Sequence, residues 1–286
     1  MKDAATQSPL PPGHAGKPSE IEEWTDLYFT RPFGSVLTNA AEALRLTPTQ
    51  VTVLGAVVGV IAGTLLYWPQ LGLLAFALLF LHAILDSADG QLARKTGQTS
   101  EVGRVLDGLS GYFTHTAMFV AVAAGFLHRG GSASILLWML LAALATIAHA
   151  QAYDYYRTTY SSIVKERRVR RNQPANVAGW LQAPYRAYSA MQRLIVGSHE
   201  AVGAALGARA LSDAELQRYR EAYRPLVRGW NLLGDNTRRY AVGLLACLAR
   251  IDLLFAFIFI PMNLIFIGMW IWQRRADRAF LNALND

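Results

Sequence analysis

The chain has 286 residues, 53% of them hydrophobic and only 16% charged, with a formal net charge of +7. That balance excludes an ordinary soluble domain and predicts a multipass membrane protein. The lone Cys247 excludes a disulfide framework and a cysteine-based metal site, and basic residues gathered at the ends of apolar segments argue against nucleic acid as a partner.

In chain order, residues 1–20 are rich in Pro, Gly, Ser and Ala without an apolar core, so they read as a disordered cytosolic tail rather than a secretory signal. Between Ile21 and Leu46 the apolar Trp24, Leu27, Tyr28, Phe33 and Leu37 alternate with charges and are interrupted by Pro32. This pattern predicts a short amphipathic helix on the membrane surface. Thr47-Pro48 supplies a cap and a first-turn proline for a first span from Val51 to Trp68, which Pro69 ends. Leu71 to Leu85 predicts a second span that runs into an acidic motif. A third follows from Gly103 to Leu127, a fourth from Ser132 to Tyr155, a short fifth from Asn236 to Arg250 and a sixth from Asp252 to Gln273.

The stretch from Ser161 to Asp235 is too polar to span, and Ser212-Asp213-Ala214-Glu215 is a capping-box pattern. It predicts a cytosolic helical insertion, with Trp180, Tyr185, Tyr188, Tyr219, Tyr223 and Trp230 forming its own core or a membrane-surface contact. The expected fold is all-α: a polytopic membrane protein of six transmembrane helices, an N-terminal amphipathic interfacial helix and a cytosolic helical insertion. Its expected parts are residues 1–20, 21–160, 161–235 and 236–286.

Charge placement sets the expected orientation. Lys95, Arg104, the run from Lys165 to Arg171, Arg238, Arg239, Arg274, Arg275 and Arg278 all fall at one side of these spans. Since Lys and Arg are enriched in cytoplasmic loops, the acidic motif is expected to face the cytosol. The run from Lys165 to Arg171 is expected to touch anionic headgroups.

The motif is Asp86-Ser87-Ala88-Asp89-Gly90-Gln91-Leu92-Ala93-Arg94, followed by Gly103 and Asp107. Asp86 and Asp89, three apart, share one helix face, and Gly90 lets a ligand approach the backbone. A helical hairpin would return Asp107 towards them, and three oxygen donors suit Mg²⁺ on a diphosphate. Arg94, Lys95 and Arg104 suit phosphate. The plain alternative pairs the acids with Arg94 and Arg104 in a structural network at the membrane edge.

At these residues the chain resembles the CDP-alcohol phosphotransferase family, whose pattern is D-x2-D-G-x2-A-R-x8-G-x3-D-x3-D. Asp86, Asp89, Gly90, Ala93, Arg94, Gly103 and Asp107 match it in type and spacing. The resemblance extends over residues 21–160 and, more loosely, 236–273. It implies transfer of a substituted phosphoryl group, in particular phosphatidyl, from a CDP-linked lipid donor such as CDP-diacylglycerol to a small alcohol or polyol-phosphate acceptor, with release of CMP. Asp86, Asp89 and Asp107 become ligands of Mg²⁺ or Mn²⁺, and Gly90, Ala93, Arg94 and Gly103 become nucleotide-pocket positions. Arg and Ala richness with few Lys is compatible with a GC-rich bacterium, so a bacterial inner membrane is the expected location, and a homodimer is what the resemblance suggests.

The family's last aspartate, a metal ligand and the base for the acceptor's proton, is Gly111 here. His115, one turn further on the same face, and Asp154, at the end of the fourth span, are the candidate surrogate bases. Their plain readings are a hydrogen-bonded histidine inside the bundle and an ion pair with Arg157. Arg238 and Arg239 are candidates for an anionic acceptor, or are simply topology residues. A second functional class is therefore open: a catalytically reduced relative that binds CDP-lipid or scaffolds a complex. A third, an ion transporter with an aspartate relay, leaves the Gly and Ala-Arg spacing unexplained.

Overall fold

Side-chain capping boxes at Thr47 and Ser212 open two of the described helices, and a left-handed Gly97 ends another. The computed structural model describes residues 18–98, 101–169, 196–207 and 209–285, without the side chains at 101, 102, 104, 105, 107 and 285. The expected tail lies outside the described residues up to position 17, and Trp180, Tyr185 and Tyr188 of the insertion do so as well. The described helices are α1 (Arg31–Ala43), α2 (Pro48–Leu65), α3 (Gly72–Thr96), α4 (Glu101–His128), α5 (Ser134–Glu166), α6 (196–206), α7 (Asp213–Trp230), α8 (Asp235–Cys247), α9 (Leu254–Phe259) and α10 (Pro261–Asn285).

The interfacial segment is one helical run, as expected, and Pro32 does not end it. A π turn over Asp26–Thr30 leads directly into α1, and the Arg31 N–H reaches back to the Asp26 carbonyl. Pro32 has no N–H to offer, so the wider turn absorbs the lost bond instead of ending the helix. Trp24, Tyr28, Phe33 and Val36 stay exposed, as a surface helix requires.

The Thr47 side chain and Gln50 form a full capping box at the start of α2, with Pro48 in its first turn. Gly55, Gly59 and Gly63 then turn one bare stripe towards α3 and α4. A Cβ at Gly59 would stand 2.2 Å from Thr114 Oγ1, and one at Gly63 would stand 2.7 Å from the Met118 backbone nitrogen. Only glycine permits that approach, the small-residue packing of membrane helices. It makes α2 the strut on which the two motif-bearing helices rest.

Among the described residues, five helices are long and apolar enough to cross a membrane: Pro48–Leu65, Pro69–Thr96, Gly108–His128, Ser134–Glu166 and Ile251–Leu284. They account for five of the six expected spans. The expected short fifth corresponds to α8, whose 13 residues rise about 20 Å. The expected sixth falls within Ile251–Leu284, with a local break at Pro261 between α9 and α10 where proline removes a helix hydrogen bond.

The 161–235 segment is mostly helical where described and opens α7 with the expected capping box of Ser212 and Glu215. Tyr219, Tyr223 and Trp230 are buried, and Trp230 stacks on Tyr156 with ring centroids 4.7 Å apart. They form this region's own core against the extended ends of α5 and α10. His199, Ser198 and Gln273 converge on the buried Asp277 within it, at 2.9, 2.7 and 3.0 Å.

Candidate functional site

The acidic motif occupies the last turns of α3, which continues past the expected end of its span to Thr96 and stops at Gly97 with φ 68°. Glycine's left-handed freedom ends the helix there, and the reversal sends the chain towards α4. This end of α3 has its own small core, in which Leu85, Ala88 and Leu92 meet Ala41 of α1 and Val51 of α2. α1 also clamps it by hydrogen bonds. Thr38 Oγ1 donates to the Ala88 carbonyl at 3.1 Å, Gln91 Nε2 donates to the Arg31 carbonyl at 3.2 Å, and Lys95 Nζ donates to Asn39 at 3.1 Å. Lys95 is thereby engaged with α1, including an ion pair with Glu42.

Asp86 and Asp89 share a face of α3 but not an environment. Asp86 is exposed, while Asp89 is buried and accepts a 2.6 Å hydrogen bond at Oδ2 from Thr52 Oγ1 of α2. Arg94 folds back over Gly90, where an added Cβ would stand 3.3 Å from its guanidinium nitrogen. Ala93 and Gly103 are partly exposed, so the small positions border open space. Asp107 lies on α4 as expected, with its side chain outside the described residues, as is that of Arg104. Among the described residues no three His, Cys, Asp or Glu groups gather closely enough to hold a metal ion. The hard carboxylate donors of Asp86 and Asp89, one already anchored by Thr52, fit a divalent cation.

Gly111 leaves a gap, since a Cβ placed there would meet nothing within 4 Å. The His115 ring does not fill it freely. Its Nδ1 lies 2.9 Å from the Gly111 carbonyl, and its Nε2 lies 3.5 Å from Asp235 Oδ1 at the start of α8. Arg238 Nη1 donates to that same oxygen at 3.1 Å and to the Leu233 carbonyl at 3.2 Å, and its other terminal nitrogen lies 3.5 Å from His149 Nδ1. Arg238 is almost fully buried and committed to these partners. Arg239 is half-buried and donates to Asn236.

The Asp235 side chain is half-exposed. Burial favours its neutral form, but the nearby His115, Arg238 and Arg239 outweigh that and hold its carboxyl low, at about 2. Asp154 is exposed on α5, and its neighbour Arg157 faces Asp26 at 3.9 Å and the Tyr153 ring at 5.2 Å.

A second polar cluster closes this end of the bundle. Glu23, just before the π turn, accepts from Tyr153 at 3.3 Å and from Asn236 at 2.7 Å. Burial pushes its carboxyl up to about 7, against the Asn236 hydrogen bond and with the help of Asp26. Beside it an apolar groove of about 900 Å³ is lined by Trp24, Tyr28, Phe29, Phe76, Phe80 and Tyr240, among others, and reaches Ile84 of α3. Sequence reasoning passed over Thr52, Glu23 and Asp235. Only Asp235 carried a signal, its i, i+3 spacing from Arg238.

Comparison with known proteins agrees with the motif. Residues 45–194 match the family described as CDP-alcohol phosphatidyltransferase. A phosphatidylinositol phosphate synthase of Cutibacterium acnes is 32% identical over 146 residues, 50% of this chain and 68% of the relative. An archaetidylinositol phosphate synthase of Pyrococcus horikoshii is 34% identical over 87 residues, 30% of this chain and 46% of the relative. A bifunctional IPC transferase and DIPP synthase of Aquifex aeolicus is 27% identical over 129 residues, 43% of this chain and 29% of the relative. The chain thus spans less than half the length of these last two. With seven motif positions arranged along the α3–α4 hairpin and a family match across more than half its length, the chain belongs to the CDP-alcohol phosphatidyltransferase family.

Proposed function

We propose that this chain transfers a phosphatidyl group from a CDP-linked lipid such as CDP-diacylglycerol to a hydroxyl of a polyol phosphate, releasing CMP. The oxygen of the acceptor bonds to the lipid's phosphorus, the bond from that phosphorus to CMP breaks, and CMP leaves with the electron pair. The acceptor's proton passes to a base of the protein. The names of the relatives make an inositol phosphate the first acceptor to try.

One observation supports the reading: a carboxylate pair and an apolar groove lie in series on a single helix. Asp86 and Asp89 lie in the last three turns of α3, and Ile84, Leu81, Phe80, Ala77 and Phe76 of the same helix line the groove behind them. From Ile84 to Phe76 the helix rises about 12 Å, enough for a good part of an acyl chain. A lipid diphosphate could meet the carboxylates while its tail stays in apolar surroundings.

Asp86, Asp89 and Asp107 would hold Mg²⁺ or Mn²⁺, which would neutralise the diphosphate charge. Gly90, Ala93, Arg94 and Gly103 would admit the nucleotide. Of the surrogate bases, His115 borders the Gly111 gap and Asp154 is open to solvent, whereas Arg239 is a more accessible partner for an anionic acceptor than the buried Arg238. The Lys and Arg distribution favours a membrane orientation with this end towards the cytosol.

The test is CMP release from purified protein in nanodiscs, given Mg²⁺ or Mn²⁺, CDP-diacylglycerol and a panel of alcohols including inositol phosphate. Acceptor-dependent CMP release is expected. The gap at Gly111 favours one second reading, a lipid-nucleotide binder without turnover. It would retain CDP-diacylglycerol, release no CMP, and gain activity on Gly111→Asp.

A further inference from the structure

The proton acceptor for the proposed transfer has no side chain at position 111, and the geometry across α4 and α8 indicates which group replaces it. The Gly111 surface is open, its carbonyl is held by His115 Nδ1, and the other face of that ring meets Asp235. The carboxylate of Asp235 therefore stands about one imidazole away from the gap, on a different helix.

The two oxygens of Asp235 are unequal. Oδ1 takes both recorded contacts, 3.1 Å from Arg238 Nη1 and 3.5 Å from His115 Nε2. Oδ2 makes no hydrogen bond among the described residues, and the side chain is 53% exposed. A carboxylate pinned through one oxygen and open at the other has a fixed orientation and a free lone pair. His115, by contrast, presents both ring nitrogens to acceptor oxygens, so neither is aimed at a substrate hydroxyl. Arg238 is buried and further braced by the Leu233 carbonyl and His149, so its grip on Oδ1 is part of the bundle core.

We propose that Asp235 is the group that takes the acceptor's proton through Oδ2, and that His115 and Arg238 are its positioning residues. The inference rests on the transfer reading above. As the P–O bond to the acceptor forms, the hydroxyl proton moves to Oδ2, and the electron pair of the breaking P–O bond leaves with CMP. An ionised carboxylate can accept that proton without first losing one of its own. The base function has in this way moved from α4 to α8, while the gap at Gly111 leaves room for the acceptor.

The experiment compares kcat for CMP release in the full-length protein, Asp235→Asn, Gly111→Asp and the double variant, with CDP-diacylglycerol and the acceptor found active. Asp235→Asn keeps an oxygen for Arg238 and removes only the charge, so kcat should fall about 100-fold or more while KM for the donor changes little. Gly111→Asp should restore at least a tenth of the activity in that background, because it returns a carboxylate to the same gap from α4. A purely structural Asp235 would not be rescued there. If Asp235→Asn does not fold, Asp235→Ser, which keeps a first-turn oxygen on α8, takes its place. Near-normal kcat without the carboxylate, or a loss that Gly111→Asp leaves unrepaired, overturns the proposal. Absence of CMP release from the unsubstituted protein overturns the transfer reading and this inference together.

Discussion

Thr52 and Asp89 face each other across α2 and α3, with the threonine hydroxyl donating to the carboxylate at 2.6 Å. A buried carboxylate in an apolar bundle is costly unless it is compensated, and this hydroxyl both offsets the burial and fixes which oxygen points away. In the proposed metal role of Asp89, Thr52 would be the outer partner that orients the ligand.

Thr52→Val should therefore raise the Mg²⁺ or Mn²⁺ concentration needed for half-maximal CMP release by about 10- to 100-fold. Thr52→Ser should stay near the unsubstituted protein. Metal titrations of activity after chelator treatment measure both, and chelation alone should abolish turnover reversibly.

Packing of α2 depends on its bare stripe. Gly59→Ala forces a Cβ to 2.2 Å from Thr114 Oγ1 and 3.1 Å from the His82 ring, and should cost about 1–3 kcal/mol. Gly268→Ala, where nothing lies within 4 Å, should be neutral or slightly stabilising, since alanine suits a helix better. Thermal unfolding in one detergent compares the two.

The groove behind the motif should be a donor-lipid site. Ala77 is exposed along it, and Ala77→Trp fills the space without disturbing a packed contact. The expected result is a raised KM for CDP-diacylglycerol with unchanged inhibition by free CDP. Equal weakening of both would place the groove outside the donor site.

Glu23 should make the fold pH-dependent. Its carboxyl is raised from 4.5 to about 7, chiefly by burial. Below pH 4.5 both folded and unfolded chains hold the proton, whereas between 4.5 and 7 only the folded chain does. Stability should fall as pH rises through that window and level off above it. Asp26, Arg157 and Arg239 face the same group and set how steep the fall is. Glu23→Gln, which carries no charge to desolvate, should flatten the profile of melting temperature against pH and be the more stable variant above pH 7.

Much of the fold could be read directly because membrane helices announce themselves in one dimension. The apolar runs of α2, α3, α4 and α5, the Thr47 and Ser212 caps and the motif spacing are local properties, and each lies where the residues predict. Backbone detail at the prolines was not legible in this way. A π turn over Asp26–Thr30 precedes Pro32 and carries the interfacial helix through it, and Pro261 marks a break between α9 and α10 inside the expected last span. Residue type alone does not decide such detail, because proline removes the same hydrogen bond whether a helix ends or adjusts around it.

By itself the sequence determined the family's motif, the helical class, the placement of Asp86 and Asp89 on one helix face, and the loss of a carboxylate at Gly111. These follow from residue type and short spacing. Only the tertiary structure decided which side chains from distant segments meet them: Thr52 beneath Asp89, the interfacial helix clamped on α3, and Asp235 brought to His115 across 120 positions of chain. Such contacts arise from the packing of helices against one another, and a stripe of glycines in α2 sets that distance.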